Sequence, residues 1–191
     1  MQTKLTADWV RGTAIGAMIA TGFGMGWLFW SLAEMHRAGA GSAIGVELGA
    51  VALLAPAIYI ARQAKRWPRM ARDPAMMRGF AWINAFQWTA ILAALLGLSR
   101  LHLYAYDASA ITAIVGLHYL PLARLFRFPM HYATGAVLVC WSGISILLFS
   151  QNAVLSAAAM GTGVILWASA VAMLVLVMQR MAAEEAAGEL G

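Results

Sequence analysis

The stretch GTAIGAMIATGFGMGWLFWSL, residues 12–32, contains no charged side chain and decides the class of the fold. An α-helix of this length rises about 30 Å, which matches the hydrocarbon thickness of a bilayer. Because the bilayer core offers the backbone no hydrogen-bond partners, such a run is expected to be helical. It is longer than the 7–15 apolar residues typical of a cleaved signal peptide. The sequence therefore predicts a retained first transmembrane helix.

Five further apolar runs follow, at residues 43–61, 79–98, 106–126, 131–150 and 154–178. Each is about 20 residues long, as a membrane-spanning helix requires. The alternating segments of about ten residues that are typical of a membrane barrel are absent. The connections are short apart from residues 62–78, so no length remains for a soluble domain. We predict one all-α domain over residues 1–191, a polytopic bundle of six transmembrane helices.

The composition supports a membrane protein. Hydrophobic residues make up 62% of the chain and charged residues 11%, whereas soluble domains have about 45–50% and about 25%. The single cysteine, Cys140, excludes an intrachain disulfide or a cysteine metal cluster. The net charge of +5 is concentrated in a few short segments, a pattern typical of membrane topology and not of nucleic-acid binding. We therefore expect the lipid bilayer as partner, no nucleic acid and no cofactor.

The basic residues are distributed unequally between alternate connections. If the N-terminus is cytoplasmic, only Arg37 and Arg100 of the thirteen fall outside. The other eleven are Lys4, Arg11, Arg62, Lys65, Arg66, Arg69, Arg72, Arg78, Arg124, Arg127 and Arg180. By the positive-inside rule, this asymmetry predicts both termini in the cytoplasm and the inner (plasma) membrane as the location.

Two features indicate contacts beyond the single bundle. Glycines and an alanine recur at four-residue spacing, which predicts close helix packing, within the chain or in a homo-oligomer. The residues are Gly12, Gly16, Ala20 and Gly24, with Gly22 and Gly26 beside them, and Gly41, Gly45 and Gly49. The loop from Arg62 to Arg78 carries six basic residues with Trp67 among them. It is either a topology-setting loop or a surface that binds anionic lipids.

Ionisable side chains within the apolar runs are site candidates, because each costs about 2.5–3.5 kcal/mol at the centre of a membrane helix. Near the outer face these are Glu47 and Asp107. Glu47 lies about four residues into the second helix. It is either a proton or cation site, half of an ion pair with Arg100 or Arg37, or a carboxylate that reaches the interface.

A second polar layer lies towards the inner face, where His118, Asn84 and Gln87 fall at similar predicted depth. Pro121 has no N–H to donate, so the carbonyl of Leu117 beside His118 is freed. We expect His118 to face the bundle within hydrogen-bond reach of Gln87, Asn84 or that carbonyl, and its loss to leave a polar group unpaired. It is either a binding or proton-transfer group or a hydrogen-bonded core histidine. No metal-ligand motif such as HExxH supports a metal site.

One stretch resembles a known group. The residues GLHYLPLARLF, 116–126, followed by Tyr132, Thr134 and Gly135, resemble small bacterial six-helix integral membrane proteins with no assigned activity. The resemblance covers about twenty residues, together with the overall size and hydropathy. It implies an integral-membrane fold and makes His118, Pro121 and Arg124 the first positions to mutate.

Three classes of function compete. A compact six-helix bundle with polar layers near both faces favours a small-solute or ion transporter, a channel-like permease. The glycine stripes would also suit an accessory or assembly subunit of a larger membrane complex. A membrane-embedded enzyme is the third alternative, although the chain has no GxSxG, no P-loop and no paired intramembrane aspartates.

Overall fold

A computed structural model describes residues 5–36, 39–68 and 73–189. The helices are α1 (Ala7–Glu34), α2 (Ala40–Gln63), α3 (Pro74–Arg100), α4 (Asp107–Leu125), α5 (Met130–Leu148) and α6 (Val154–Glu189). Short 3-10 turns occupy Ala64–Arg66 and Tyr104–Tyr106. All six helices are long and apolar enough to cross a membrane, and the described ranges contain no strand. The predicted all-α, six-helix fold is confirmed.

Side-chain caps explain where two of the helices begin. The hydroxyl of Thr6 accepts a hydrogen bond from the Trp9 N–H at 3.2 Å, immediately before α1. The carboxylate of Asp73 accepts one from the Ala75 N–H at 2.8 Å, before α3. Each cap satisfies a backbone donor that has no partner inside its helix. At the other end of the chain, α6 continues to Glu189, beyond the predicted apolar run, because alanine and glutamate are strong helix formers.

The six helices pack as two close pairs with one helix added to each. The most extensive pairing joins α1 to α6, and the next joins α4 to α5. Contacts of α6 with α4 and α5 connect the two pairs. At the edges, α2 packs mainly on α1 and α3 packs mainly on α4. This arrangement leaves α3 with the smallest buried fraction of the six spans.

Glycines allow both close pairs to form. A Cβ placed on Gly135 of α5 would lie 2.6 Å from the carbonyl oxygen of Gly116 on α4. A Cβ on Gly163 of α6 would lie 2.9 Å from the carbonyl oxygen of Gly24 on α1. Such distances exclude any side chain, so the two backbones come together only where both residues are glycine.

A tryptophan of α6 packs against two glycines of the stripes noted in the sequence. The Trp167 ring occupies the space beside Gly24 on α1 and Gly49 on α2, and its indole N–H donates to the Thr21 carbonyl at 3.0 Å. Gly24 and Gly49 therefore contact neighbouring helices, as the spacing predicted. A Cβ on several other stripe residues would meet nothing within 4 Å, and contact of these residues with a second copy stays a prediction. They are Gly12, Gly22, Gly26, Gly41 and Gly45.

The helices alternate in direction, so the described parts of both termini lie at the same end of the bundle. There, the Arg180 guanidinium of α6 lies 4.7 Å from the centre of the Trp9 ring of α1. At the opposite end, Ser31 of α1 donates a hydrogen bond to the Ser156 carbonyl of α6 at 2.8 Å.

Basic residues are concentrated at the end that carries both termini, which we call the basic end. Eight of the nine described Lys and Arg residues lie there, and Arg100 lies at the opposite end. The eight are Arg11, Arg62, Lys65, Arg66, Arg78, Arg124, Arg127 and Arg180. Lys4, Arg37, Arg69 and Arg72 lie outside the described residues.

Candidate functional site: a lateral groove between α3 and α4

The loose packing of α3 on α4 leaves a groove of about 480 Å³. It is lined by Trp82, Ile83, Phe86, Gln87 and Ala90 of α3 and by Ile114, Leu117, His118 and Pro121 of α4. On α4 the lining residues lie three, four and seven positions after Ile114. On α3 they lie three, four and seven positions after Ile83, with Trp82 beside it, so each set shares one face. Trp82, Phe86 and Leu117 are 75%, 77% and 54% exposed. The groove therefore opens at the side of the bundle, where a bilayer would surround it.

Only two of the lining side chains are polar. The His118 ring is half-buried, and its Nδ1 atom is buried without a hydrogen-bond partner. The backbone of Ile83 across the groove is within hydrogen-bonding reach of the ring. The amide of Gln87 makes no hydrogen bond with any described residue. The Gln87 amide is not fully buried, so it gives the groove hydrogen-bonding capacity for a ligand.

The structure brings together some of the predicted inner-layer residues and separates others. His118, Gln87 and Pro121 line the same groove. Asn84 does not line it, because its side-chain amide donates to the Phe80 carbonyl of its own helix at 2.8 Å. His118 therefore faces α3. The backbone group within reach of its ring belongs to Ile83, which the sequence did not predict as a partner. Helix spacing alone does not show which carbonyl of a neighbouring helix lies closest.

Behind the groove, a cluster of rings connects α4 to the start of α5. Tyr119 lies between two histidines, with its ring 6.3 Å from that of His118 and 5.2 Å from that of His131. The ring of Phe128 is 4.9 Å from that of His131, whose Nδ1 atom is also buried without a partner. In the described part of the chain, no three His, Cys, Asp or Glu side chains are placed to share a metal ion.

The remaining candidates do not line the groove. Glu47 is exposed on α2 and makes no ion pair with Arg100 or with another described residue, while Arg37 lies outside the described residues. Asp107 is the first residue of α4, at the opposite end of the bundle, and its Oδ1 atom is buried without a partner. Arg124 is exposed at the basic end and does not line the groove. The predicted site residues thus occupy at least two separate places.

Comparisons with family models, curated proteins and solved structures give no match for this chain. The resemblance of residues 116–135 to small bacterial membrane proteins stays a prediction.

A layer of buried hydroxyl groups is the main feature that sequence reasoning missed. Side-chain oxygens meet in three pairs, which join α4 to α6, α4 to α5 and α5 to α6. The pairs are Thr112–Thr162 at 2.6 Å, Ser109–Ser145 at 2.9 Å and Thr134–Ser169 at 2.6 Å. The spacing offered a signal, because the hydroxyl residues on one helix are three, seven or eleven positions apart and so share a face. These pairs connect the helices and fill the space between them.

Proposed function

We propose that this chain is a permease-type membrane protein that takes a small amphiphilic molecule from the bilayer into the α3–α4 groove. The observation that carries the proposal is the His118 imidazole, which lines an apolar groove open towards lipid and belongs to a membrane-spanning helix. The Gln87 amide lines the same groove. Ionisable residues inside membrane segments normally mark substrate pathways or binding sites, which supports a binding role for His118.

The chemistry of the groove indicates the class of substrate. Its aromatic and aliphatic walls, represented by Trp82, Phe86 and Ile114, favour an apolar body. Imidazole and amide groups each donate and accept hydrogen bonds, so they favour a hydroxyl or carbonyl group. The volume of about 480 Å³ is within the range of about 300–1,000 Å³ that is usual for small-molecule sites. No charged side chain lines the groove, which favours a neutral alcohol, phenol or ketone over an ion.

Lateral entry agrees with the contacts inside the bundle. The Thr112–Thr162 hydroxyl pair fills space between α4 and α6, and the Thr134–Ser169 pair fills space between α5 and α6. The groove instead opens towards lipid. A substrate that partitions into the bilayer would reach it without crossing these contacts.

We also infer that the basic end faces the cytoplasm and that the protein is in the bacterial inner membrane. The support is the excess of Lys and Arg at that end, which the positive-inside rule associates with the cytoplasmic face. With this orientation, His118 lies about 10 Å from the cytoplasmic end of α4, at a rise of about 1.5 Å per residue.

The proposal is tested by photolabelling the purified protein in lipid nanodiscs with a diazirine derivative of octanol. Mass spectrometry then maps the labelled residues. We expect labelling to concentrate on Trp82, Phe86 and Gln87, and to fall at least about fivefold in His118→Leu, since about 1 kcal/mol of lost hydrogen bonding corresponds to that factor. Unlabelled octanol should compete with the probe, and octane should compete poorly because it cannot hydrogen-bond.

The internal control is Leu147 of α5, which is 82% exposed and reports contact with bulk lipid. Its labelling should be the same in the wild type and in His118→Leu. The proposal is wrong if the groove is labelled no more strongly than Leu147, or if octane competes as well as octanol.

A second candidate function, an accessory subunit of a larger membrane complex, is favoured by the exposure of α3. This helix packs mainly on α4, and its Trp82 and Phe86 side chains are largely exposed. Mass measurement in native nanodiscs discriminates between the two functions. A monomer or small homo-oligomer favours the permease, whereas a stoichiometric foreign subunit favours the accessory role.

A further inference from the structure

A second groove, of about 260 Å³, lies between α1 and α2 at the basic end. Its charged lining consists of Arg11 on α1, Arg62 on α2 and Lys65 in the following turn, with the carboxylate of Asp8 beside them. Three cations and one anion give this small area a net charge of +2. The area therefore attracts an anionic group.

The three cations of this groove have no acidic partner in the described ranges. Other basic residues at the same end are engaged: Arg66 pairs with Glu185 at 3.6 Å, and Arg180 lies over the Trp9 ring. Arg11, Arg62 and Lys65 make no ion pair with a described residue. Their charges therefore remain available to an external anion.

The groove changes from charged to apolar along the helices. Met18 lies seven residues after Arg11 on α1, which is about 10 Å deeper in the membrane. Ile58 lies one turn from Arg62 on α2 and lines the same wall. A ligand that fits both parts needs a negative group at the membrane surface and an apolar chain directed into the bilayer.

From this combination we propose that the α1–α2 groove is a binding site for one anionic phospholipid. The lipid phosphate binds Arg11, Arg62 and Lys65, and an acyl chain lies against Met18 and Ile58. Arginine suits this role because its planar guanidinium donates two parallel hydrogen bonds to phosphate oxygens. The site is independent of the α3–α4 groove.

Native mass spectrometry of the detergent-solubilised protein tests the site with phosphatidylglycerol and phosphatidylcholine that have identical acyl chains. We expect one phosphatidylglycerol to bind in preference to phosphatidylcholine. A basic residue near an anionic headgroup contributes about a fivefold gain in affinity. The double variant Arg11→Gln/Arg62→Gln should therefore bind phosphatidylglycerol about 25-fold more weakly and lose most of the preference.

The matched control is Arg78→Gln/Arg127→Gln, which removes the same charge from the same end but outside the groove. This variant should keep the preference. An equal loss in both double variants would show nonspecific attraction to the basic end and overturn the site.

Inorganic phosphate is tested alone by thermal unfolding. If phosphate raises the melting temperature as much as phosphatidylglycerol does, the ligand is a free anion and the lipid site is wrong.

Discussion

At the scale of single residues, the hydroxyl pair of Thr112 and Thr162 shows how polar groups stabilise an apolar bundle. Each hydroxyl is fully buried and lies within hydrogen-bonding distance of the carbonyl four residues earlier in its own helix, Ala108 for Thr112 and Ala158 for Thr162. Because each hydroxyl has a single proton, one threonine donates the 2.6 Å interhelical bond and the other accepts it while donating to its own helix. Interhelical hydrogen bonds of this kind contribute on average about 0.6 kcal/mol and at most about 1.7 kcal/mol in a membrane.

We predict that Thr112→Val lowers the free energy of unfolding by about 1 kcal/mol, because valine keeps the shape and removes the interhelical bond. The control is Thr89→Val. Thr89 bonds the Ala85 carbonyl of its own helix but is exposed on α3 and has no interhelical partner among the described residues. Denaturant unfolding in bicelles measures both variants. An equal loss in the two would contradict an interhelical role for Thr112.

For His118 we predict a change in the free energy of unfolding that has the opposite sign. The Ile83 carbonyl already accepts the N–H of Gln87 within α3, four residues on, so removing the imidazole leaves no unpaired backbone group. The buried Nδ1 atom has no partner, and its burial carries a cost. We expect His118→Leu to keep or raise the free energy of unfolding, by up to about 1–3 kcal/mol, while photolabelling of the groove falls.

This result would differ from the expectation based on sequence, in which the loss of His118 leaves a polar group unpaired. Bicelle unfolding of His118→Leu and His118→Gln provides the measurement. A loss of more than about 1 kcal/mol in the leucine variant would indicate that the contact of the ring with the Ile83 backbone outweighs the burial cost of Nδ1, and it would weaken the case for a ligand.

At the scale of helices, the α4–α5 pair includes a close contact between two glycines. Gly116 and Gly135 face each other, and a Cβ on either would meet the carbonyl oxygen of the other below 3 Å. Gly143 lies on the exposed face of α5, where a Cβ would meet nothing within 4 Å. The two α5 glycines therefore have the same helical backbone and different surroundings.

We predict that Gly135→Val destabilises the protein by about 1–3 kcal/mol or more, because α4 and α5 must separate to accommodate the side chain. Gly143→Val should be neutral or slightly stabilising, because an interior helical glycine is entropically costly. Unfolding midpoints of the two variants, measured in the same bicelles, test the contact. Similar midpoints would mean that the close contact of α4 and α5 does not determine stability.

At the scale of the whole molecule, alternating helices place the described parts of both termini at the basic end. The contact of Arg180 with Trp9 and the ion pair of Arg66 with Glu185 hold α1, α6 and the turn after α2 together there. This end contains eight of the nine described basic residues. A single topological orientation accounts for this distribution.

We predict that a reporter active only in the cytoplasm gives a signal when it is fused after Arg69 or Arg127. A reporter active only outside should give a signal after Arg37 or Arg100. Six crossings with cytoplasmic termini require all four results. A cytoplasmic signal after Arg100, or none after Arg127, would contradict the proposed orientation.

The positions of the helices were predictable from the sequence, but the contacts between helices were not, for a physical reason. A long apolar run in a bilayer has few alternatives to a helix, so the six spans were predictable. The helix faces that contact each other were not predictable, because side chains that contact lipid and those that contact protein are equally apolar. Gly22 and Gly24 illustrate this: both belong to the α1 glycine pattern, but only Gly24 contacts α6.

The groove was predictable only in part, for the same physical reason. His118 and Gln87 were predictable candidates because polar side chains are rare in these helices. Their position beside Trp82 and Phe86 depends on how α3 lies on α4, which apolar periodicity does not define. The roles of Glu47, Asp107 and Arg124 stay predictions, since none of them lines the groove.

The pairing of α1 with α6 has a consequence for synthesis. About 120 residues separate the end of α1 at Glu34 from the start of α6 at Val154. At about 5–20 residues per second, a ribosome needs roughly 6–24 s to produce them. Throughout that interval the Gly24 face of α1 has no permanent partner and contacts lipid or the insertion machinery. Of the six helices, α1 is therefore made first and obtains its main partner last, and the six-helix bundle is complete only after α6 has been synthesised.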